Sequence, residues 1–288
     1  MPTLVTAISA EAFAVAVERV TTHAKQTVVV KLGGSAMEDP TATDACLRSV
    51  SILHRLGVRI ILVHGGGKPI DRAMADAGLT PTKVAGRRYT DDATLAIVVH
   101  ILHEINADLE AKLGALGTNA AGVDDSLSGE RLMLPGIDLQ PIDLGSVGKI
   151  REVNVGMLAA MLHSGRVPIV PSLAVDADMS WLNVNADTAA SAVAGALHAD
   201  KVIFLTDTPG VLRDRANPAS LVPRLTETEC RELIASGVID GGMVPKVEAC
   251  FEALEAGAKA ALILDGRVPF SLLDVFLHDT CTGTAITR

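Results

Sequence analysis

Short runs of β-branched and aliphatic residues alternate with helix-patterned segments along most of this chain, and the runs lead into turns rich in glycine or aspartate. The clearest runs are TVVVKL (27–32), VRIILVH (58–64), VPIVPSL (167–173), KVIFLTD (201–207) and KAALILD (259–265). Strands that alternate with helices are typical of βαβ units, whose strands lie parallel in one sheet. The alternation therefore predicts an α/β fold with a largely parallel sheet and crossover helices.

The composition supports a buried sheet with helices on both faces. Hydrophobic residues make up 49% of the 288 residues, whereas aromatic residues make up only 2%. The apolar residues are therefore mainly Ala, Val, Leu and Ile, as expected where β-branched strands pack against alanine-rich helices. A chain this long and apolar can bury a sizeable core, which argues against disorder and favours α/β over all-β.

Charge and cysteine content exclude several classes of function. The formal net charge of −9 would repel a phosphate backbone, so no nucleic acid partner is expected. No two of the four cysteines form a C-x-x-C motif, so neither a zinc site nor a disulfide framework is predicted. The cysteines are Cys46, Cys230, Cys250 and Cys281. The chain has no run of about 18 apolar residues, which predicts no membrane span. No signal or transit segment is recognised, so we expect a cytoplasmic protein with reduced cysteines.

Residues 1–26 predict a helical extension outside the main fold. Phe13, Val17 and Val20 have the i, i+4, i+7 spacing of one helix face, and Ser9 is placed to cap the helix. Because an isolated helix would expose this apolar stripe, we expect it to dock on its own chain or on another subunit.

Other helices can be bounded from capping and spacing. Asp39 followed by Pro40 is typical of a helix start, and Gly57 of a helix end. Residues 90–113 have the apolar spacing of one long helix. Further helices are predicted at 68–77, 154–165, 186–199, 227–235, 243–256 and 268–276. By contrast, residues 117–148 are rich in Gly, Asp and Ser, which predicts hairpins at the edge of the sheet.

Two glycine turns follow the first two predicted strands, in KLGGS (31–35) and HGGGK (64–68). At the carboxyl ends of parallel strands, backbone N–H groups and helix N-termini bind anions, and neighbouring strands would place the two turns side by side. Neither turn fits a known nucleotide motif. A Walker A loop fails because Pro69 follows Gly67-Lys68 and Leu62 stands where its first glycine belongs, and the G-x-G-x-x-G fingerprint lacks its last glycine.

Charged residues accompany these turns. Lys31 is the last polar residue of an apolar strand, and a lysine there needs an anionic partner or a wet site. Arg87 and Arg88 precede a helix start and suit a carboxylate ligand. Amides and a carboxylate meet in NVNAD (183–187), and another glycine pair precedes Lys246. Taken singly each could be a surface charge or a cap, but together they favour an anion site.

Six motifs, read in order, resemble those of the amino acid kinase family. They are VVVKLGGSAM (28–37), ILVHGGGKPID (61–71), GRRYTD (86–91), NVNADTAA (183–190), LTDTPGVL (205–212) and GGMVPKVEAC (241–250). The resemblance implies a three-layer αβα sandwich around a largely parallel sheet. It also implies an acceptor-binding lobe at 27–198 and a nucleotide-binding lobe at 199–288, after the extension at 1–26.

Within the family, the motifs look most like those of members that phosphorylate the γ-carboxylate of N-acetyl-L-glutamate in arginine biosynthesis. The resemblance implies that Lys31 and Lys246 stabilise the transferring phosphoryl group and that Asp187 positions both lysines. Further residues are assigned by ligand: Gly33 and Gly34 to the ATP phosphates, Thr206 and Asp207 to the nucleotide site, Gly66 and Gly67 to the acceptor, and Arg88 and Asn183 to its two carboxylates.

The chemistry agrees with this residue set. A γ-carboxylate with a pKa of about 4.3 is already ionised at neutral pH, so it needs no general base. Phosphoryl transfer mainly needs positioning and neutralised charge, from lysines, N–H groups and Mg²⁺. We therefore expect ATP with Mg²⁺ as the phosphoryl donor and no metal site made by the protein. We therefore interpret HGGGK (64–68) as a loop that binds the anionic acceptor, and Lys68 need not take part in catalysis.

Two alternatives and one assembly question stay open. Tyr89 stands where the family usually has valine. Related kinases that phosphorylate a carrier-bound aminoadipate can have RYTD at this place, so such a kinase is one alternative. Their carrier is acidic, however, and would be poorly steered to this acidic chain. A non-catalytic amino-acid sensor of the same fold is the other alternative. The extension resembles one that forms hexamers in the family, so we expect a homo-oligomer, either a dimer or a hexamer.

Overall fold

The computed structural model describes residues 8–33, 37–84, 86–135, 141–278 and 282–288, and the alternating sequence pattern folds around one eight-stranded sheet. The strands are β1 Thr27–Leu32, β2 Arg59–His64, β3 Lys83–Val84, β4 Arg87–Arg88, β5 Ala120–Gly122, β6 Leu127–Leu134, β7 Ile142–Val153, β8 Val167–Pro171, β9 Leu173–Val175, β10 Trp181–Asn183, β11 Lys201–Thr206, β12 Arg224–Thr226, β13 Ala261–Asp265 and β14 Thr284–Thr287. The helices are α1 Ala10–Thr21, α2 Pro40–Arg55, α3 Gly67–Asp76, α4 Asp92–Ala115, α5 Val155–His163, α6 Ala186–Ala196, α7 Glu227–Ala235, α8 Val244–Glu255 and α9 Ser271–Leu277.

The large sheet has the spatial order β12-β14-β13-β11-β1-β2-β8-β5. Its neighbours pair in parallel except at β13 and β14, so the predicted largely parallel sheet is confirmed. β1 lies between β2 and β11, with Lys31 opposite Val63 on one side and Phe204 on the other. The carboxyl ends of these three strands therefore meet at one edge, where their following loops converge.

Strand alternation sends side chains into two separate cores. In β1, Val29 packs into one core while Val28 and Val30 pack into the other. Helices α6 and α8 cover the first face, and α2, α4 and α9 cover the second. This is the predicted three-layer αβα arrangement, and it explains why the strand sequences are apolar at almost every position.

The hairpins predicted at the sheet edge are only partly found there. β5 does form the edge of the large sheet, but β6 and β7 pair instead in a small closed barrel with β9 and β10. This placement lets Leu127 bury its side chain together with Leu182 and Ala174, which a position at the edge of an open sheet would not provide. The antiparallel pairing of β6 with β7 confirms a hairpin, but its predicted place at the edge of the large sheet was wrong.

The N-terminal helix α1 forms as predicted, with the Ser9 hydroxyl accepting a hydrogen bond from the Ala12 amide. Its last turn docks on its own chain, because Val20 is buried and the Arg19 guanidinium donates to the carbonyl of Leu277 in α9 at 3.0 Å. Its first turns do not dock, since Phe13 is 60% exposed. The extension thus keeps an uncovered apolar face.

The predicted ends of α2 are also confirmed. The Asp39 carboxylate accepts hydrogen bonds from the amides of Thr41 and Ala42, and Gly57 adopts a positive φ of 92° after the helix. Within the described ranges, no helix is both long enough and apolar enough to cross a membrane.

Three of the four cysteines are free and buried: Cys46, Cys230 and Cys250. Burial raises the pKa of the Cys46 and Cys230 thiols to about 12, so neither is reactive at neutral pH. Cys281 lies outside the described residues.

Candidate active site

A cavity of about 570 Å³ opens at the edge where the loops after β1, β2 and β11 converge. It is lined by most of the residues that the sequence singled out, from both sides of the central sheet: Lys31, Gly33, Gly66, Gly67, Arg88, Asn183, Thr206, Asp207 and Lys246. Gly34 lies outside the described residues. We call the side around Gly66, Gly67, Arg88 and Asn183 the acceptor half, and the side around Thr206, Asp207 and Lys246 the nucleotide half.

Lys31 and Asp187 form an ion pair between these halves. Lys31 is 13% exposed, and its Nζ lies 2.8 Å from Oδ1 of Asp187. Asp187 is in the first turn of α6, where the helix dipole favours a carboxylate and where the Asn185 side chain caps the amides of Asp187 and Thr188. A lysine on a buried strand needs such a partner, because an unpaired buried charge is strongly destabilising.

Lys246 is held differently. It is in the first turn of α8, and its Nζ lies 3.8 Å from Asp207 Oδ1 and 3.5 Å from the carbonyl of Gly242. Its ion-pair partner within 4.0 Å is therefore Asp207, and not the Asp187 that the resemblance implied for both lysines. The two lysines still line the same cavity from opposite sides, because Lys31 comes from the sheet and Lys246 from a helix.

The glycine turns bring backbone close to this cavity. At Gly33, a Cβ atom would lie 2.9 Å from both the Leu205 carbonyl oxygen and Lys31 Nζ, so only glycine fits without a shift. A Cβ at Gly66 would lie 3.0 Å from Leu102, whereas a Cβ at Gly67 would meet nothing within 4 Å. Gly67 starts α3, and its N-cap provides no side-chain bond, which leaves helix N–H groups available to an anion.

Arg88 is fixed against the start of α3. Its side chain is 11% exposed, forms an ion pair with Asp71, and donates from Nη2 to the Gly67 carbonyl at 3.2 Å. On the other wall, Asn183 donates to the Thr90 hydroxyl at 3.1 Å, and that hydroxyl donates to the Arg88 carbonyl at 3.0 Å. Arg88 and Asn183, the two side chains predicted to bind carboxylates, are thus connected through Thr90.

Thr206 ends β11 with a buried hydroxyl that accepts from the amide of Thr208 at 3.0 Å. Beyond it, a second cavity of about 420 Å³ shares Asp207 and Lys246 with the first. Its walls include several apolar side chains: Val211, Leu212, Val238, Ile239 and Met243. A mainly apolar cavity beside a cationic one has the properties needed by a ligand with a flat ring at one end and phosphates at the other.

His64 ends β2 beneath the acceptor turn and is fully buried. Its Nδ1 lies 3.3 Å from the Gly65 carbonyl oxygen. Burial, with a smaller contribution from the charge of His103, lowers the pKa of His64 to about 4, so the ring is neutral at physiological pH. No pattern in the neighbouring residues indicates that this histidine is buried.

Lys68 and Glu38 also line the cavity and form an ion pair. Among the predicted motifs, Lys68 was visible in HGGGK but received no role, and Glu38 was not singled out. The signal that could have revealed Glu38 is its position shortly after the first glycine turn, because that turn follows β1 and the second turn follows the neighbouring strand β2. Lys83 and Arg87 contribute further cations to the same wall.

Together these residues can bind a polyanion. Six cationic side chains line the cavity, against the carboxylates of Glu38, Asp71 and Asp207. The cations are Lys31, Lys68, Lys83, Arg87, Arg88 and Lys246. No buried cluster of histidine, cysteine or carboxylate groups suited to a metal ion occurs among the residues described. The cationic side chains therefore suit the site to negatively charged ligands.

Comparisons with known proteins agree on one family. Residues 26–265 match the model of the amino acid kinase family. Acetylglutamate kinase from Synechococcus sp. is 39% identical over 264 residues, which cover 91% of this chain and 87% of that protein. Acetylglutamate kinase from Clostridioides difficile is 38% identical over 267 residues, which cover 92% of each.

Solved structures share the fold. N-acetylglutamate synthase from Neisseria gonorrhoeae, in complex with coenzyme A and N-acetyl-glutamate, superposes with a TM-score of 0.84 at 24% identity, over 98% of this chain and 64% of that one. Carbamate kinase from Giardia lamblia bound to AMP-PNP superposes with a TM-score of 0.68 at 18% identity, over 92% of this chain and 99% of that one. At these identities the likeness shows the fold alone.

Proposed function

The chain belongs to the amino acid kinase family, and we propose that it transfers the γ-phosphoryl group of ATP to the γ-carboxylate of N-acetyl-L-glutamate, as a step of arginine biosynthesis. The observation that carries this proposal is that relatives named acetylglutamate kinase match more than nine-tenths of the chain at 38–39% identity. The product would be N-acetylglutamyl phosphate, an acylphosphate.

The acceptor half supplies binding groups for a dicarboxylic acid. Arg88 offers a guanidinium that donates to the Gly67 carbonyl, and Asn183 offers a side-chain amide that donates to the Thr90 hydroxyl. In our proposal these side chains bind the carboxylates, while the N–H groups at Gly66 and Gly67 receive the end that reacts. An ionised carboxylate is itself the nucleophile, so the site needs no base beside it.

The nucleotide half accommodates ATP in the same proposal. Gly33 gives the close backbone approach that phosphates require, and the mainly apolar second cavity suits the base. Bound Mg²⁺ would neutralise phosphate charge, and it would enter with the nucleotide because Mg²⁺ keeps several waters and prefers phosphate oxygens. Lys31 and Lys246 then stabilise the charge that spreads over the transferring group, with Asp187 holding Lys31 in place.

Three finer points belong to the proposal. Residues 1–26, 27–198 and 199–288 serve as extension, acceptor lobe and nucleotide lobe, consistent with the positions of Arg88 and Lys246. The 60% exposure of Phe13 supports assembly through α1 into a dimer or hexamer, which sedimentation would measure. The protein works in the cytoplasm, where its substrate ATP is available.

The test is ATP-dependent acylphosphate formation, trapped with hydroxylamine, across N-acetyl-L-glutamate, glutamate, aspartate, carbamate and N-acetyl-aminoadipate. Strong selectivity for N-acetyl-L-glutamate supports the proposal. Product with none of them overturns it and favours either a carrier-bound aminoadipate, beside the 37%-exposed Tyr89, or a sensor.

The Lys246→Ala variant separates an enzyme from a sensor. An enzyme should lose about 100-fold or more in kcat with a modest change in substrate binding, because the lysine acts on charge that develops in the transition state. A sensor would keep its ligand affinity and would show no turnover in either form. Unchanged turnover in the variant would contradict the catalytic assignment of Lys246.

A further inference from the structure

Lys68 occupies an unfavourable place for a cation. It is the second residue of α3, directly after Gly67, in a first turn that contains no acidic residue. The positive end of a helix dipole disfavours a cation there, by an amount comparable to the stabilisation an acid would give. Lys68 therefore needs a negative partner, and the anion that this helix N-terminus receives is one candidate.

In the structure, that partner is Glu38. The Lys68 ammonium and the Glu38 carboxylate form an ion pair, with side chains 68% and 29% exposed. Glu38 belongs to the loop after β1, which contains the nucleotide turn at Gly33, and Lys68 follows the acceptor turn after β2. Because β1 and β2 are neighbours in the sheet, this ion pair bridges the two turns between which a phosphoryl group would pass.

The ion pair is weak enough to be exchanged. An exposed lysine–carboxylate pair contributes little to stability, because water solvates both partners and holding long side chains costs entropy. Lysine also has a flexible stem that lets its ammonium reach several positions. Lys31, by contrast, is 13% exposed and paired with a carboxylate that is 23% exposed, so it has much less freedom.

We propose that Lys68 is a third cation for the transferred phosphoryl group, and that Glu38 holds it until nucleotide and acceptor meet and then releases it. This inference rests on the proposed function. The ion pair also affects substrate entry. Because Lys68 neutralises the Glu38 carboxylate, this carboxylate does not repel the phosphates and carboxylates that enter the cavity. Once Lys68 turns towards the phosphoryl oxygens, the bare Glu38 carboxylate favours departure of the anionic products.

The experiment compares Lys68→Met, Glu38→Gln and the double variant with the wild-type protein. Lys112→Met is the matched control, because Lys112 is an exposed lysine paired with Asp108 at 2.6 Å on α4, away from the cavity. Steady-state rates with ATP and N-acetyl-L-glutamate give kcat and KM. Calorimetric titration with Mg²⁺·AMP-PNP gives nucleotide affinity without turnover.

We expect Lys68→Met to lower kcat by about 10- to 100-fold with less than about a threefold change in the KM for ATP. Lys68→Arg should retain a third or more of the wild-type kcat. Glu38→Gln should increase the affinity for Mg²⁺·AMP-PNP about two- to fivefold, because Lys68 is then free to contact the nucleotide. This gain in affinity should disappear in the double variant, because Lys68 is absent there. Lys112→Met should remain within twofold throughout.

Two results would overturn the inference. One is a kcat for Lys68→Met within twofold of the wild type, and the other is equal tightening by Glu38→Gln with and without Lys68. Thermal melting of each variant shows whether a change reflects unfolding instead. If the wild-type protein makes no acylphosphate, the proposed function fails, while the nucleotide titrations still report separately whether Lys68 and Glu38 are coupled.

Discussion

The acceptor half and the nucleotide half of the cavity differ in how firmly their charges are held. In the acceptor half, Arg88 is 11% exposed and contacts Asp71 and the Gly67 carbonyl. In the nucleotide half, Lys246 lies 3.8 Å from Asp207, a carboxylate that is 59% exposed. The cationic group is therefore fixed in advance where we propose that the acceptor binds, and it is left adjustable where we propose that the nucleotide binds.

The difference originates in the elements that carry these residues. The acceptor half is built on the ends of β2, β4 and β10, and Gly66 packs against the side chains of α4. The nucleotide half includes the short 3₁₀ turn Gly241–Met243 and the start of α8, which has no side-chain cap. The start of α3 in the acceptor half is uncapped as well, so the difference lies in the 3₁₀ turn, because short turns open more easily than strand ends in a core. A ligand can thus order the nucleotide half at little cost.

The largest effect is expected from Arg88→Met. The substitution removes the guanidinium that we propose binds a carboxylate of the acceptor, and it leaves Asp71 without its cation. The value of kcat/KM for the acceptor should therefore fall about 100-fold or more, equivalent to about 3 kcal/mol. Steady-state kinetics with varied N-acetyl-L-glutamate would measure this.

Arg48→Met on α2 is the matched control, since Arg48 pairs with Asp44 at 2.7 Å on the exposed surface, and its kinetics should be unchanged. Adding Asp71→Asn to Arg88→Met should recover stability but not acceptor affinity. A loss in Arg88→Met no larger than in the control would mean that the acceptor half is not organised around this guanidinium.

The second prediction concerns His64, which supports the acceptor turn from below. Its pKa is about 4 in the folded state and about 6.5 when unfolded, so between these pH values the unfolded chain binds the extra proton. The free energy of unfolding should therefore fall as the pH is lowered from 6.5 to 4, by about 3 kcal/mol in total from this residue.

Urea unfolding at several pH values, for the wild-type protein and for His64→Asn, isolates this contribution. The groups that act on the His64 ring are the Gly65 carbonyl, which raises its pKa, and His103, whose charge adds to the lowering caused by burial. The variant should lose most of the pH dependence between 6.5 and 4. Parallel curves for the two proteins would show that His64 is not buried as a neutral ring.

Much of this contrast could be predicted from the sequence, and the reasons are local. Strand runs, the Asp39 cap and the two glycine turns are encoded by neighbouring residues, so their positions follow from spacing. Lys31 was identifiable because a charge on an apolar strand demands a partner. The role of Asp187 beside Lys31 was implied only by the family resemblance, and in the structure the order of the strands brings α6 over β1 and Asp187 to Lys31.

Long-range pairings were less accessible. Lys246 pairs with Asp207 and not with Asp187 because of where α8 begins relative to β11. No local sequence pattern encodes that position. The small barrel of β6, β7, β9 and β10 required strands separated by many residues to find each other. Burial of His64 depends on α4 covering the end of β2, and a histidine after a strand is equally compatible with an exposed loop.

A pair of glycine variants gives the third prediction and sharpens the view of the acceptor half. Gly66→Ala should lower the free energy of unfolding by about 1 to 2 kcal/mol, because its Cβ would press on Leu102 and Ile70 at 3.0 and 3.1 Å. Gly67→Ala should leave it unchanged or slightly higher, since its Cβ would meet nothing within 4 Å and alanine favours a helix.

Acceptor kinetics on the same two variants separate packing from binding. Gly67 lines the cavity, so its added methyl group should raise the KM for the acceptor by roughly tenfold through loss of close backbone approach. Chemical denaturation and steady-state rates measure the two effects independently. If Gly67→Ala proved the more destabilising variant, the packing of the acceptor turn would differ from that described.

The smallest effect is expected from Asp207→Asn, which tests the loose half directly. Because Asp207 is 59% exposed and lies 3.8 Å from Lys246, water already screens most of their attraction. We expect kcat and the KM for ATP to change by less than about threefold. Asp187→Asn is the matched comparison, since its carboxylate lies 2.8 Å from a lysine that is only 13% exposed, and its loss of kcat should be at least tenfold larger. Similar losses in the two variants would mean that nucleotide binding tightens the Lys246–Asp207 pair until it equals Lys31–Asp187, so that the two halves differ only while the site is empty.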